Sequence, residues 1–379
     1  MNEIVIKKDS DGNLILNELS DAKRIFENCR INFLLGAGFS MPLLNPLNDL
    51  ETIIEHLDRS KDSWSIIAKA YILWYFFQKS IFKLTDTKSF DFKHHHDFGR
   101  LLQKIIQERS SPIFRKQINV FTTNYDPIIE LCTDELTDFI CNDGFSGNLK
   151  KKFSTDNFCK VVFRQAIFSE NMAEVPMINL LKLHGSITWQ KDNQDLMYVD
   201  YQSHILKFHD QYKSLFQGDI FSKISTLLES EHTIEEKILS LKDIFKGTRS
   251  RVKFRNFITY YTDFFAIVNP TKEKFCTTVM KMFYHEMLRI YSNELEKQNS
   301  LLLVFGFSFA DEHIFEITRR SLINPSLLVY IFCYDENSFK KMQDRFSGTK
   351  CTNVTLVRLD DEHLNLQKFN AILTKIMDK

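Results

Sequence analysis

The sequence predicts an α/β protein built on a mostly parallel, doubly wound sheet. Short apolar runs alternate with stretches of helical periodicity along the 379 residues, which is the pattern of strands joined by crossover helices. Four of these apolar runs end in clusters of Gly, Asn, Asp or His. Because ligands bind just beyond the carboxyl ends of parallel strands, we expect the functional site at that edge of the sheet.

The predicted strands are separated by helices, in the Rossmann-like manner that a doubly wound sheet requires. Strands are predicted at 31–35, up to residue 121, and at 139–141, 178–183, 264–268, 301–305, 327–333 and 354–359. Helices are predicted at 21–29, 50–57, 63–82, 98–107, 127–135, 219–229, 233–245 and 275–295. We expect a single domain over 1–379, with helical insertions at about 45–110 and 190–260.

The composition limits the class of protein. Lys+Arg and Asp+Glu both number 49, so the formal charge is zero, which argues against a generally basic nucleic-acid surface. Seven cysteines without a C-x-x-C spacing indicate free thiols rather than a zinc ribbon. The N-terminal segment lacks a signal-peptide core, and no apolar run is long enough to span a bilayer. We therefore expect a soluble, cytoplasmic protein with no membrane partner.

Each of the four strand ends carries residues suited to a ligand site. The segment 36–40 reads GAGFS, a turn that either approaches a phosphate or simply connects a strand to a helix. The segment 122–126 reads TTNYD and places an amide and a carboxylate at its strand end. His184 opens the segment HGS, and a histidine facing the crevice can act as a general base near neutral pH. The segment 306–313 reads GFSFADEH, in which we expect Asp311 to cap a helix.

Two other patterns have a functional and a structural interpretation. The adjacent residues His94, His95 and His96 suggest a metal site, but consecutive residues do not share a face, so a solvated loop is favoured. The segment 246–255 is basic and would suit a nucleic acid or a partner, yet a solvated loop is again favoured.

Taken together, the four motifs resemble those of the sirtuin family. GAGFS resembles the sirtuin Gly-Ala-Gly-x-Ser motif, TTNYD resembles Thr-Gln-Asn-x-Asp, LHGS matches Leu-His-Gly-Ser, and GFSF stands where sirtuins have a late Gly-x-Ser loop. The order and approximate spacing agree over residues 31–335. Two features of deacylating sirtuins are missing: the segment 41–50 reads MPLLNPLNDL without their cofactor-loop arginine, and there is no four-cysteine zinc module.

The motifs look most like those of the bacterial sirtuin-like NADases of antiphage defence. Within that group they most resemble the sirtuin subunit that works with a HerA-type ATPase, through FTTNYD, NDGFSG at 142–147, KLHGSITW at 182–189, GFSFADEHI at 306–314 and NPS at 324–326. The resemblance implies an NAD hydrolase that releases nicotinamide and ADP-ribose and depletes NAD in abortive infection. It also implies a homo-oligomer with a HerA-type ATPase/translocase partner. The protein would then contact DNA only indirectly, through that partner.

The resemblance assigns roles to individual residues. Asn124 would orient the ribose and the attacking water, His184 would act as base, and Asp126 would accept a hydrogen bond from the nicotinamide amide. The resemblance implies that NAD would be the substrate and that no metal would be required. The residues expected to contact NAD are Gly36, Ala37, Gly38, Ser40, Thr123, Gly185, Ser186, Gly306 and Ser308. The glycine loop 36–40 would cradle the phosphates with its backbone N–H groups, and the 306–308 loop would line the adenosine side.

Two alternative functions are compatible with the same residues. One is an NAD-dependent protein deacylase or ADP-ribosyltransferase, which shares the Asn124 and His184 chemistry but needs an acceptor groove. The other is a catalytically silent module that binds NAD or ADP-ribose and assembles a complex. The missing zinc module argues against the first, and the presence of both Asn124 and His184 argues against the second.

Overall fold

Within the described residues, eight strands, all parallel, form the central sheet. The computed structural model describes residues 1–19, 21–44, 49–60, 62–109, 111, 113–248, 251–268, 278–348 and 352–378. The strands are β1 (Asn2–Ile6), β2 (Arg30–Leu35), β3 (Gln117–Thr122), β4 (Ile140–Asn142), β5 (Phe145–Ser146), β6 (Lys152–Phe153), β7 (Phe163–Gln165), β8 (Met172–Glu174), β9 (Met177–Lys182), β10 (Trp189–Asp192), β11 (Asp195–Tyr198), β12 (Ser300–Phe305), β13 (Leu327–Phe332) and β14 (Val354–Leu359). The central sheet has the order β1-β14-β13-β12-β2-β3-β9-β4, and the predicted doubly wound, mostly parallel sheet is confirmed.

Helices cover both faces of this sheet. They are α1 (Ala22–Asn28), α2 (Ala37–Ser40), α3 (Leu50–Arg59), α4 (Ser63–Phe76), α5 (Lys93–Glu108), α6 (Ile128–Thr133), α7 (Tyr201–Tyr212), α8 (Asp219–Glu229), α9 (Ile234–Ile244), α10 (Val252–Phe264), α11 (Thr278–Glu296), α12 (Glu312–Ser321), α13 (Glu336–Phe346) and α14 (Leu366–Met377). Helices α1, α5 and α14 pack on one face, and α11, α12 and α13 pack on the other. Because helices cover both faces, β12 is buried along its whole length. Its sequence, SLLLVF, is accordingly a nearly continuous apolar run rather than an alternating one.

A ladder of hydrogen-bonded asparagines crosses the sheet on one face. Asn142 Nδ2 donates to Asn179 Oδ1 at 2.9 Å, and Asn179 Nδ2 donates to Asn119 Oδ1 at 3.0 Å. Asn119 Nδ2 donates to Asn32 Oδ1 at 2.9 Å, and Asn32 Nδ2 donates to Ser300 Oγ at 3.0 Å. A side-chain amide both donates and accepts hydrogen bonds, so each asparagine can bond the next one in the ladder. A slip of one strand by one residue would turn its asparagine to the other face and break the ladder. The ladder therefore helps to fix the register of the strands that carry the site.

The two long segments between strands pack against each other. Helices α3 and α4 lie between β2 and β3, while α7 to α10 lie between β11 and β12, and α4 contacts α8, α9 and α10. Aromatic rings fill this contact: Trp74 stacks on Phe216 with ring centroids 4.8 Å apart, and Phe77 lies 4.9 Å from Phe208. Phenylalanine side chains therefore fill the contact between these helices, and this contact is continuous with the core on one face of the sheet.

Several predicted elements differ from the structure. The predicted strand at 264–268 is wrong, because α10 continues to Phe264 with aromatic residues at helical spacing, and only Ile267 then forms an isolated bridge, to Gly185. The basic segment predicted as a loop enters the same helix at Val252. The segment after residue 190 is not wholly helical, since it opens with the β10–β11 hairpin. Strand β1 and the hairpin were not predicted from the sequence.

The three adjacent histidines lie in the first turn of α5, and the predicted loop is wrong. His95 is buried, and its Nε2 lies 2.8 Å from the carbonyl oxygen of Phe39. Burial lowers the pKa of His95 below its ordinary value, although the carbonyl partner acts in the opposite direction. His95 therefore contacts the backbone of the glycine-rich loop at Phe39.

Some sequence predictions concern parts of the chain that lie outside the described residues. These are the start of the predicted helix at 275, residue 249 of the basic segment 246–255, and Cys276 and Cys351. Within the described ranges, the free cysteines are Cys29, Cys132, Cys141, Cys159 and Cys333.

Candidate functional site

Four loops meet at the carboxyl edge of the four adjacent strands β12, β2, β3 and β9. They follow these strands as segments 306–311, 36–40, 123–126 and 184–186. The chain leaves β2 toward β3 on one side and returns later as β12 on the other, so β2 and β12 mark the switch point of the sheet. Doubly wound folds bind ligands at this position.

The glycine loops on the two sides of the switch point are in backbone contact. The Gly36 N–H donates to the Phe305 carbonyl at 3.1 Å, and the Gly38 N–H donates to the Gly306 carbonyl at 3.0 Å. A Cβ on Gly38 would lie 2.6 Å from Gly306 Cα, and Gly306 itself has φ +65°. Only glycine fits these positions without moving the backbone. These glycines hold the two loops together, and the N–H groups of Gly36 and Gly38 are used within the protein.

Asn124, Ser40 and Asp126 form a buried relay between two loops. Asn124 Nδ2 donates to Ser40 Oγ at 2.8 Å and to the Gly36 carbonyl at 3.0 Å. Ser40 Oγ in turn donates to Asp126 Oδ2 at 2.7 Å. All three side chains are buried. The Gly36 carbonyl can only accept a hydrogen bond, and Ser40 donates its own proton to Asp126. Both groups therefore need a donor from Asn124, so its NH₂ group must face them, which fixes the orientation of the amide.

Asp126 is itself held in place by the structure around it. Its Oδ1 accepts from the Ile128 N–H at 3.1 Å at the start of α6, so both carboxylate oxygens have partners in the protein. Lys182 at the end of β9 is buried, donates to the Asp126 carbonyl and lies 2.8 Å from Glu130 Oε1. Burial raises the pKa of Glu130, and the ammonium of Lys182 opposes that shift. The predicted contact of Asp126 with nicotinamide stays a prediction.

His184 pairs with Asp311 across the edge of the sheet. His184 Nε2 lies 3.0 Å from Asp311 Oδ2, and the two side chains are 18% and 6% exposed. Asp311 Oδ1 accepts from the N–H groups of His313 and Ile314, so the expected helix cap is present. The contact of Asp311 with His184 was not predicted from the sequence, because 127 residues separate the two.

The neighbours of His184 in the HGS motif are structural in this arrangement. Gly185 has φ +80°, and a Cβ there would lie 2.1 Å from the Ala266 carbonyl oxygen. Ser186 is fully buried, its N–H donates to Ala266, and its hydroxyl contacts Tyr125 and Thr188. These contacts occupy the groups of Ser186 that were predicted to meet NAD. The Ser186 N–H attaches the HGS loop to the segment that follows α10, and the Ser186 hydroxyl attaches it to the Tyr125 carbonyl.

The remaining predicted contact residues line the same edge. Ala37 and Ser308 are exposed, while Thr123 is partly exposed and donates its N–H to the Leu35 carbonyl at 3.3 Å. Phe309, next to Ser308, has φ +54° and a fully buried ring. The loop therefore turns Ser308 outward while Phe309 anchors it in the core.

Tyr125 connects the site to helix α4 and to the turn that follows this helix. Burial of its hydroxyl raises the pKa of Tyr125 well above its ordinary value, with smaller contributions from Tyr261 and Asp126, and a hydrogen bond with Ser80 opposes the shift. Its ring lies 5.8 Å from that of Phe76. Ser80 belongs to a π-helical turn, Phe77–Ile81, and such turns occur frequently at functional sites. The sequence motif TTNYD gave no indication that its tyrosine ring contacts helix α4.

Neither a metal centre nor a membrane-spanning helix is found in the described part of the chain. Across those residues, no group of three or more His, Cys, Asp or Glu side chains is placed to hold a metal ion. In the same residues, no helix combines the length and apolar character that crossing a bilayer requires.

Comparison with known proteins supports a sirtuin-like family. Residues 118–234 match the SIR2-like domain family, and this range contains Asn124, Asp126 and His184. SIR2-like domains bind NAD and are NAD-dependent enzymes, so the match fits an NAD-utilising activity. No match was found among curated proteins.

Proposed function

We propose that the protein hydrolyses the nicotinamide–ribose bond of NAD to give nicotinamide and ADP-ribose. The observation that carries the proposal is the placement of Asn124 and His184 at the ends of the neighbouring strands β3 and β9, each fixed by buried partners. A reaction at a sugar carbon needs a positioned water and a group that takes its proton. These two residue types supply both.

Asn124 would position the attacking water through its carbonyl oxygen. Both protons of its Nδ2 are used by Gly36 and Ser40, at 3.0 and 2.8 Å. Oδ1 is then the atom that accepts a hydrogen bond from a water or a ribose hydroxyl. Because the amide cannot turn without breaking the relay, the acceptor is held ready before the substrate binds, which is how a positioned group lowers a barrier.

His184 would accept the proton. The bond between C1′ and the nicotinamide nitrogen breaks with its electron pair on nicotinamide, which leaves as the neutral molecule. The water oxygen forms the new bond to C1′, and its proton passes to His184 and then to solvent. A positioned base of this kind contributes about 10²–10⁴-fold to a rate.

The loops at the switch point would hold the rest of the dinucleotide. Ala37 is exposed between two glycines whose amides are already used, so it is the part of the loop 36–40 open to a phosphate. Exposed Ser308 is placed for the adenosine side. Asp126 would meet nicotinamide only as an additional acceptor, since both its oxygens have protein partners.

Chromatography and mass spectrometry of the products formed from NAD alone test the reaction class. We expect free nicotinamide and free ADP-ribose in equal amounts. ADP-ribose attached to protein, or formed only with an acylated peptide, would instead indicate a transferase or deacylase. NAD bound tightly without turnover would indicate a sensing module.

We also propose, from the motif resemblance, an antiphage role with self-association and a HerA-type ATPase partner. The tip of the β7–β8 hairpin favours a protein–protein contact, because its apolar residues Ile167 and Phe168 are 89% and 98% exposed. Co-expression with such an ATPase, followed by size-exclusion chromatography and an NAD assay, tests the partner. Co-elution lost on Phe168→Ser would support the hairpin as a contact, and unchanged co-elution would exclude it.

A further inference from the structure

We infer that Asp311 is a positioning residue that fixes the Nε2–H tautomer of His184 and leaves Nδ1 as the proton acceptor. The catalytic consequence rests on the proposed function, whereas the tautomer itself is a property of the resting protein. The geometry behind the inference is the 3.0 Å contact between His184 Nε2 and Asp311 Oδ2.

The two oxygens of Asp311 have separate tasks. Oδ1 accepts from the N–H groups of His313 at 3.0 Å and Ile314 at 3.3 Å, which places the carboxylate at the N-terminus of α12. The positive end of a ten-residue helix favours the ionised carboxylate. Oδ2 is directed at His184. The helix therefore holds the charge in place, and the charge faces the imidazole.

An ionised carboxylate only accepts hydrogen bonds, so the nitrogen that faces it must carry the proton. In a neutral imidazole the other nitrogen is then unprotonated. Nε2 is the donor here, and Nδ1 has the lone pair that can take a proton from a water or a ribose hydroxyl. This assigns the base function of His184 to one atom.

The backbone of His184 is fixed independently of Asp311. The His184 carbonyl accepts from the Val268 N–H at 2.7 Å, and the preceding Leu183 N–H donates to Thr122 at 2.8 Å. The ring of Tyr284 lies 6.2 Å from the imidazole on one side. Burial and the negative charge of Asp311 both raise the pKa of Tyr284, so that hydroxyl stays neutral beside the pair. A change at Asp311 should thus alter the imidazole while the chain around it stays in place.

Asp311→Asn tests the inference with little disturbance of the helix. Asparagine is as good an N-cap as aspartate, so its carbonyl oxygen can keep the cap. Its NH₂ then faces His184, and a donor there requires an acceptor at Nε2, which moves the proton to Nδ1. In a serine protease, the same change of the triad aspartate costs about 10⁴-fold in kcat through the wrong histidine tautomer. We expect kcat for NAD cleavage to fall by about 10²–10⁴-fold, with KM changed less than about threefold.

Nitrogen NMR of protein labelled with ¹⁵N-histidine measures the tautomer directly, and the signal lost in His184→Gln assigns it. We expect the Nε2–H form in the unaltered protein and the Nδ1–H form in Asp311→Asn. Asp335→Asn is the matched control, because Asp335 caps α13 after the neighbouring strand and accepts from the Ser338 N–H at 2.7 Å. We expect that variant to leave both the tautomer and kcat unchanged.

Each outcome is decisive for the inference. An Nδ1–H tautomer in the unaltered protein would overturn it whether or not the variant folds. An unchanged tautomer in folded Asp311→Asn would also overturn it. If the tautomers behave as expected but the unaltered protein releases no nicotinamide, the positioning role of Asp311 stands and the proposed NAD hydrolysis fails.

Discussion

Replacing Ser40 with alanine removes the hydroxyl that joins Asn124 to Asp126. The serine is 3% exposed, and its neighbours in the relay are 7% and 6% exposed, so water cannot replace the lost partner without opening the site. The change deletes one oxygen and leaves the rest of the short helix α2 intact. It therefore probes the relay more selectively than a change at Asn124 itself.

The structure sets the size of the effect. The 2.8 Å bond from Asn124 is neutral and is worth about 0.5–1.5 kcal/mol, while the 2.7 Å bond to the Asp126 carboxylate is worth about 1.5–3 kcal/mol. Their sum predicts a loss of about 2–4.5 kcal/mol in the free energy of unfolding. Because the freed amide of Asn124 can then turn, we also expect kcat for NAD cleavage to fall by about 10²-fold.

Urea denaturation followed by circular dichroism measures the stability, and nicotinamide release measures the activity. Ser321→Ala is the control, since Ser321 is similarly buried but its hydroxyl donates only to the Ile317 carbonyl of its own helix, at 2.9 Å. That variant should lose less than about 1 kcal/mol and keep its activity. If Ser40→Ala and Ser321→Ala lost the same stability, the relay would not have the strength argued for it.

Three further predictions concern the sheet edge and its support. Gly185→Ala should abolish NAD cleavage and lower the urea midpoint. Residue 185 has φ +80°, which disfavours a side chain, and the new Cβ would lie 2.1 Å from a carbonyl oxygen. Asn119→Leu should lower the free energy of unfolding by about 1–3 kcal/mol, because it leaves Asn179 Nδ2 without its acceptor and Asn32 Oδ1 without its donor; a urea midpoint like that of the unaltered protein would contradict this. Burial lowers the pKa of His95 below 6.5, so its contribution to stability is present above pH 6.5 and is lost as the pH falls toward the folded pKa. The free energy of unfolding of His95→Gln should therefore fall less steeply between pH 7 and pH 5 than that of the unaltered protein, by up to about 1.4 kcal/mol per pH unit. Urea titrations of the two proteins at each pH measure the slopes, and equal slopes would contradict this prediction.

The sequence predicted the parts of the fold that depend on local pattern. The buried strand that became β12 is a continuous apolar run, and the glycine, amide and histidine clusters mark the strand ends correctly. The α8 boundaries were also correct, because its apolar residues recur at helical spacing. The α10 region was misread because aromatic residues suit both a helix and a strand, and packing in the helical layer decided between them.

The internal geometry of the site could not be predicted, because it depends on long-range pairing. His184 and Asp311 are far apart in sequence, and nothing local to Asp311 distinguishes a helix cap from a cap that also holds an imidazole. The same holds for Ser40, whose motif suggests a phosphate turn although its hydroxyl serves Asn124. The asparagine ladder likewise becomes visible only once the register of four strands is known.

Nicotinamide release from NAD by the purified protein, Asn124→Ala and His184→Ala, measured side by side by chromatography, tests the proposed hydrolysis and its two residues together. We expect stoichiometric nicotinamide and ADP-ribose from the unaltered protein and a loss of at least about 10²-fold in each folded variant. Release that persists at the same rate in both variants would show that the chemistry lies elsewhere. It would contradict the assignment of Asn124 and His184 as the residues that position the water and accept its proton.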